Sequence, residues 1–140
     1  MKKRILVAAM LALKLWAGYL FLMEGFEKFE SLQGLAGRSS PFIDFYLAMG
    51  STGYLLPLIG VVEILGGLLL ITQRYSFAGA LLLLPVALNV SLAHIFLIQS
   101  SKGIALTSGL MLILLITLLV EYKRLKELLQ PQRIWPSKES

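Results

Sequence analysis

Residues 77–98 read FAGALLLLPVALNVSLAHIFLI, a stretch without lysine, arginine, aspartate or glutamate. A helix needs about 20 predominantly apolar residues to cross the hydrocarbon core of a bilayer. The stretch therefore predicts a membrane-spanning helix, although it includes a proline, an asparagine and the chain's only histidine.

Three further blocks of the chain have the same apolar character. Hydrophobic residues make up 57% of the sequence and charged residues only 15%. This composition is more hydrophobic than that of an ordinary soluble protein. Lys14 interrupts the first block and no small-residue cleavage site follows it, so we interpret that block as a retained span and not as a signal peptide. The predicted spans are residues 5–23, 53–72, 77–98 and 104–120.

The connections predict how these spans are arranged. The second and third connections are short, so neighbouring helices must be antiparallel. We expect an all-α integral membrane protein: a four-helix up-down-up-down bundle that forms a single domain over residues 1–140. Residues 121–140 would follow the last span as a charged tail.

Lysine and arginine counts predict the orientation, because cytoplasmic loops carry an excess of these residues. With four spans, both termini lie on one side of the membrane. The bias places that side in the cytoplasm, since the other side holds only Lys28, Arg38 and Lys102. The cytoplasmic side holds nine basic residues: Lys2, Lys3, Arg4, Arg74, Lys123, Arg124, Lys126, Arg133 and Lys138.

The one long connection, residues 24–52, faces outward in this topology. Lys28 and Phe29 are expected to extend the first helix. Pro41 follows a turn and N-cap sequence, and PFIDFYLAMG then predicts a short interfacial helix, because its aromatic rings suit the headgroup level of a membrane.

Three polar residues are predicted to lie near the middle of the bilayer: Lys14, Glu63 and Asn89. A buried charge is costly there and is normally turned inward and paired. Counted along each span, Lys14 and Glu63 reach similar depths and carry opposite charges, so we expect them to form one ion pair with Asn89 beside it. The pair could be structural, or it could belong to a ligand, proton or quinone site.

Asn89 and His94 are expected to have different roles. Pro85 leaves the carbonyl of Leu81 without its helical partner, and Asn89 follows one turn later on the same face. We therefore interpret Asn89 as architectural. His94 lies nearer the outer surface, where it could either pack or exchange protons, and a lone histidine is a weak metal signal.

Several of these features together resemble the DoxX family of small four-helix bacterial membrane proteins. The resemblance rests on Gly25 with Lys28-Phe29, on the block GYLLPLIGVVEILGG, and on Pro85, Asn89 and His94. It implies a location in the bacterial inner membrane. It also implies an accessory or anchor subunit for a partner oxidoreductase, in a quinone-linked or oxidative-stress process.

A quinone would need an apolar slot with a few polar groups near one membrane surface. The resemblance therefore implies a quinone-facing cluster, which would be formed by residues at the outer edge of the spans: Tyr19, Glu24, Tyr54, His94 and Thr107.

Two other classes of function stay open at this point. One is a structural or assembly protein without a ligand, and the other is a small proton-coupled exporter that uses Glu63. Independent catalysis is not expected, because the sequence has no nucleophile–base pair, metal cluster or cofactor loop. The expected partners are the lipid bilayer, a soluble oxidoreductase subunit and further copies of the chain. Nucleic acid is not expected, since the basic residues flank spans and form no aromatic-interleaved patch.

Overall fold

The computed structural model describes residues 1–30, 32–35 and 37–129, and this part of the chain consists of helices joined by turns and loops, without strands. A 3₁₀ turn over Leu32–Leu35 and a π-helical turn over His94–Ile98 accompany five α-helices. These are α1 (Lys2–Glu27), α2 (Pro41–Ser51), α3 (Leu55–Ile71), α4 (Ser76–Ala93) and α5 (Ser101–Leu129).

Three helical segments of the described chain are long and apolar enough to cross a membrane. They are Arg4–Glu27, Ser76–Ile98 and Ser101–Tyr122. A fourth crossing depends on α2 and α3, which meet the same test only as a pair that is bent by 96°. The predicted span over residues 53–72 corresponds to α3, whose 17 residues make it the shortest of the long helices.

The long helices α1, α3, α4 and α5 pack mainly against successive neighbours, and α1 also contacts α5. Gly18 of α1 faces Gly67 of α3, whereas Gly25 faces Gly60, so these two helices are antiparallel. The α3–α4 pair is also antiparallel, because it is joined by a short turn over residues 72–75. We call the end of this assembly beside α2 (Pro41–Ser51) the α2 end, and the end with the α3–α4 turn (residues 72–75) the turn end.

Glycines bring α1 and α3 close together. A Cβ atom on Gly60 would lie 2.7 Å from the carbonyl oxygen of Gly25, and one on Gly67 would lie 2.7 Å from that of Gly18. Small residues on facing helices allow this approach, which gains dispersion contacts where lipid provides no hydrophobic driving force. The core beside this contact is built from buried apolar residues of α1, α3, α4 and α5: Ala17, Phe21, Leu70, Ala80, Leu83, Ala87, Ile113 and Leu114.

The helix α2 crosses the end of the assembly at a steep angle to α3. Its N-terminus is capped by Ser40, whose side chain accepts a hydrogen bond from the backbone N–H of Ile43 at 3.2 Å, and Pro41 occupies the first turn. Gly53, with φ of 76°, allows the chain to turn from α2 into α3. None of the residues of α2 is fully buried, so it rests on the surface of the other helices.

The contacts of α1 also fix its register against the other helices. Lys14 lies beside Ser76, the first residue of α4, and is therefore at the turn end and not at mid-depth. The preceding residues of α1, Arg4–Leu13, extend past this level and are almost all exposed.

Candidate functional site

An ion-paired centre joins α1 to α3 at the α2 end. Lys28 Nζ lies 3.3 Å from Glu63 Oε2, which is buried, and 3.5 Å from Glu24 Oε2. The ammonium also donates a hydrogen bond to the backbone carbonyl of Glu24 at 3.1 Å. The side chain of Glu63 is 2% exposed and that of Glu24 is 60% exposed, so one ammonium group connects a buried carboxylate to a surface carboxylate.

The charge of Lys28 is stabilised by this arrangement. Burial alone would lower the pKa of Lys28, but the negative charges of Glu63 and Glu24 outweigh burial and raise the pKa above its ordinary value. The lysine therefore remains protonated at neutral pH. Its contribution to stability is present below the ordinary lysine pKa and is lost only as the pH rises through the raised one.

A second, separate ion pair lies at the turn end. Lys14 of α1 forms a hydrogen-bonded salt bridge with Glu121 of α5, and both residues are buried. Ser76 of α4 completes the cluster: its Oγ accepts a hydrogen bond from Lys14 Nζ at 3.2 Å and donates one to Glu121 Oε1 at 2.6 Å. Three helices are thus tied together by three buried polar side chains.

These two clusters correct the predicted pairing of the buried charges. Lys14 and Glu63 are both buried, but the expectation that they pair with each other is wrong, because Lys14 binds Glu121 and Glu63 binds Lys28. The glycine contacts between α1 and α3 place Lys14 at the turn end, and Glu63 lies nearer the α2 end.

Asn89 also differs from the prediction, because its side chain is exposed and is not placed beside either ion pair. It lies on a shallow groove of about 320 Å³ between α2 and the end of α4. No hydrogen bond joins its amide to any other residue in the described part of the chain. Apart from Asn89 the groove is apolar, and it is lined by Phe45, Leu92, Ala93, Phe96 and Leu97.

His94 occupies the junction between α4 and the π-helical turn. Its Nδ1 lies 3.0 Å from the carbonyl oxygen of Val90, so that nitrogen carries a proton and donates it within the same helix. The ring packs directly on Gly103 of α5, where a Cβ atom would collide with it. His94 is therefore a packing contact between α4 and α5 in this structure.

The five residues of the predicted quinone-facing cluster are not joined by hydrogen bonds within the described chain. Tyr19 and Tyr54 are exposed, and Thr107 is buried with its hydroxyl donating to the carbonyl of Gly103 at 2.9 Å. Glu24 belongs to the ion-paired centre around Lys28, whereas His94 packs in the contact between α4 and α5.

Several residues of these sites were not identified from the sequence. Glu121 lies one residue beyond the last predicted span, and Ser76 one residue before the third. The predicted topology counts Lys28 as a loop charge. A search for oppositely charged or hydroxyl residues just outside the span ends could have found all three, whereas nothing in the sequence indicates that Phe45 of α2 would face Asn89.

The helices and the buried ion pairs define the class of the protein. An all-helical chain with at least three helices long and apolar enough to span a bilayer, and with its buried charges paired across helices, is an integral membrane protein. A family model described as DoxX matches residues 9–95, more than half of the chain, and the protein belongs to the DoxX family. The match includes Lys14, Lys28, Glu63, Asn89 and His94, but not Glu121. Searches of curated proteins and of solved structures find no match.

Proposed function

We propose that this protein is an accessory membrane subunit that holds a quinone for a partner oxidoreductase, in the half of the bilayer nearer the α2 end. The observation that carries the proposal is the amide of Asn89, which faces the apolar groove and has no hydrogen-bond partner among the described residues. Membership of the DoxX family is consistent with this role.

The position of Asn89 along α4 makes an unpartnered amide energetically unfavourable. At about 1.5 Å per residue, Asn89 lies roughly 20 Å from Ser76 and about 14 Å from Ile98, well inside the hydrocarbon core if this segment spans the bilayer. An amide that is exposed to lipid without a partner is unfavourable, because the hydrocarbon cannot hydrogen-bond to it. A bound molecule with a carbonyl group would remove that penalty.

The groove fits a quinone in size and chemistry. A volume of about 320 Å³ is at the lower end for small-molecule sites, which are typically apolar with a few polar groups that orient the ligand. The Asn89 amide can donate a hydrogen bond to a quinone carbonyl. Phe45 and Phe96 can contact the ring, and the open side of the groove leaves room for an isoprenoid chain to continue into lipid.

A complete topology follows as part of the same proposal. The protein would be a four-helix up-down-up-down bundle in the bacterial inner membrane, with both termini cytoplasmic and α2 as an interfacial helix at the outer surface. The antiparallel packing of α1, α3 and α4 supports this arrangement, as does the bent α2–α3 pair.

The binding proposal predicts a specific effect of Asn89→Leu. The variant should bind a quinone analogue about fivefold more weakly, since one hydrogen bond contributes about 1 kcal/mol. Its melting temperature should not fall, because the side chain is exposed and its amide makes no hydrogen bond within the described part of the chain. The measurements are a titration of the purified protein in nanodiscs and a thermal melt in the same preparation.

Leu81→Ala is the matched control, because Leu81 is an exposed residue of α4 that does not line the groove. It should bind the analogue as the wild type does. Equal binding by Asn89→Leu and the wild type would refute the quinone site. A partner oxidoreductase would be sought by co-purification in mild detergent.

The orientation is tested by cysteine labelling. Single cysteines introduced at Ser39 and Ser137 should react with a membrane-impermeant reagent from opposite sides of the membrane: Ser39 from outside intact cells, and Ser137 only after the cytoplasmic face is opened. Labelling of both positions from the same side would contradict the four-span topology.

A further inference from the structure

We propose that Glu63, Lys28 and Glu24 form a proton-exchange site at the α2 end of the protein, in which Glu63 takes up a proton from the adjacent aqueous phase. The proposal does not depend on quinone binding. Its ligand is the proton, and its observations concern a different set of residues from those of the Asn89 groove.

The main argument is that Lys28 has two carboxylate partners. Protonating a buried carboxylate normally leaves its partner as an uncompensated buried charge, which is strongly unfavourable. Lys28 avoids this outcome, because its Nζ already lies 3.5 Å from Glu24 Oε2 and donates to the carbonyl oxygen of Glu24 at 3.1 Å. The ammonium therefore keeps a charged partner when Glu63 becomes neutral.

The ion pair with Glu63 is also weakly constrained. Lys28 Nζ and Glu63 Oε2 are 3.3 Å apart, but the geometry does not satisfy a hydrogen bond. A charge-assisted hydrogen bond is typically shorter, about 2.7–2.9 Å, and roughly twice as strong as a neutral one. Less stabilisation is thus lost here on protonation than in a well-aligned salt bridge.

The cluster at the turn end provides the contrast. Lys14 and Glu121 form a hydrogen-bonded salt bridge in which both residues are buried, and within the described part of the chain the only other side chain hydrogen-bonded to Lys14 Nζ is the neutral Ser76. A protonated Glu121 would leave the buried Lys14 ammonium with no carboxylate partner among the described residues. Of the two clusters, only the one at the α2 end is arranged to gain and lose a proton.

The proton-transfer step is balanced within this cluster. In the ionised state the cluster contains two carboxylates and one ammonium. A hydronium ion at the exposed Glu24 supplies one proton, either directly to Glu63 or through Lys28, which passes a proton to Glu63 and takes one from the hydronium. The product contains a neutral Glu63, the Lys28 ammonium, the Glu24 carboxylate and one water molecule.

Ionisable groups from each neighbouring element affect the site. Glu63 interacts electrostatically with Glu24 and Glu27 of α1 and with Lys28, the residue that follows this helix. From α2, Tyr46 interacts with both Lys28 and Glu63. The other helix packed on α3 is α4, and its sequence contains no ionisable residue.

Infrared difference spectroscopy of the protein in nanodiscs tests the proposal, because the C=O stretch of a protonated buried carboxyl is resolved from that of a carboxylate. The wild type should show a carboxyl band that titrates between pH 4 and 9. Glu63→Gln should remove this band, whereas Asp44→Asn, which changes an exposed carboxyl group of α2 outside the cluster, should leave it in place as the matched control. Should Glu63→Gln fail to fold, Glu63→Asp provides the assignment, because the band should shift in frequency.

Glu24→Gln tests the alternative partner. In this variant the titration midpoint of the Glu63 carboxyl band should fall by about one pH unit, which corresponds to tenfold weaker proton binding. The reason is that the state with protonated Glu63 loses the Glu24 carboxylate as a partner for Lys28. A midpoint that is unchanged or raised would overturn the proposal, as would the absence of any titrating band that depends on Glu63. Loss of quinone binding with the band intact would instead count against the Asn89 site alone.

Discussion

Gly67→Ala is expected to destabilise the protein by about 2–3 kcal/mol, the upper part of the range for overpacking a well-packed core. The added Cβ atom would lie 2.7 Å from the carbonyl oxygen of Gly18, and 3.2 Å from both the backbone nitrogen and Cγ of Leu22. Two of these three atoms belong to the backbone of α1, so the clash cannot be relieved by a side-chain rotation. The two helices must separate along their closest contact.

Gly109→Ala is the matched control, since Gly109 is also a helical glycine but a Cβ atom there meets nothing within 4 Å. Alanine has the higher helix propensity, so this variant should be neutral or slightly more stable. Reversible unfolding in mixed detergent micelles measures both variants. If Gly67→Ala were as stable as Gly109→Ala, the close packing of α1 on α3 would be incorrect.

The sequence predicted the helices well, because apolar length is a direct requirement of the bilayer. The predicted span over residues 77–98 matches the helical segment Ser76–Ile98, and PFIDFYLAMG matches α2. Here the turn and capping residues are local signals, as Ser40 and Pro41 show. Local signals and hydropathy together are sufficient to locate helices.

The pairing of buried charges was not predictable from depth alone. Counting residues from the start of each apolar block assumes that all the blocks begin at the same plane. The glycine contacts instead shift α1 so that Lys14 is level with Ser76, at the end of α4. Register between helices depends on side-chain packing, which hydropathy does not report.

The inward face of α4 was assigned incorrectly for a related reason. Asn89 was expected to be internal, whereas His94 was expected either to pack or to exchange protons. In the structure Asn89 faces the groove and His94 packs against Gly103. A polar residue in an apolar helix indicates that a partner is required, but it does not show whether that partner is another helix of the same chain, a ligand or a second protein. The rotation of α4 about its axis decides this, and it is set by its contacts with α3 and α5.

The largest single effect is expected from Glu121→Gln, which should destabilise the protein by about 3–5 kcal/mol. The substitution leaves the Lys14 ammonium buried beside a neutral hydroxyl group, that of Ser76. Removing both charges in the double variant Lys14→Met/Glu121→Gln should recover most of this loss, because replacing a buried ion pair as a whole is often nearly neutral. The two substitutions should therefore be strongly non-additive in a double-mutant cycle.

A second double-mutant cycle, with Lys14→Met and Glu63→Gln, distinguishes the Lys14–Glu121 pair from the Lys14–Glu63 pair that depth alone suggests. Lys14 and Glu63 belong to different clusters, and residues without shared partners usually contribute additively, within about 0.5 kcal/mol. We expect additivity here and strong coupling between Lys14 and Glu121, both measured by the same detergent unfolding. The reverse result, with Lys14 coupled to Glu63 and additive with Glu121, would show that α1 is displaced along α3. The ion pair between Lys28 and Glu63 would then also be incorrect, because both clusters depend on the same register of α1.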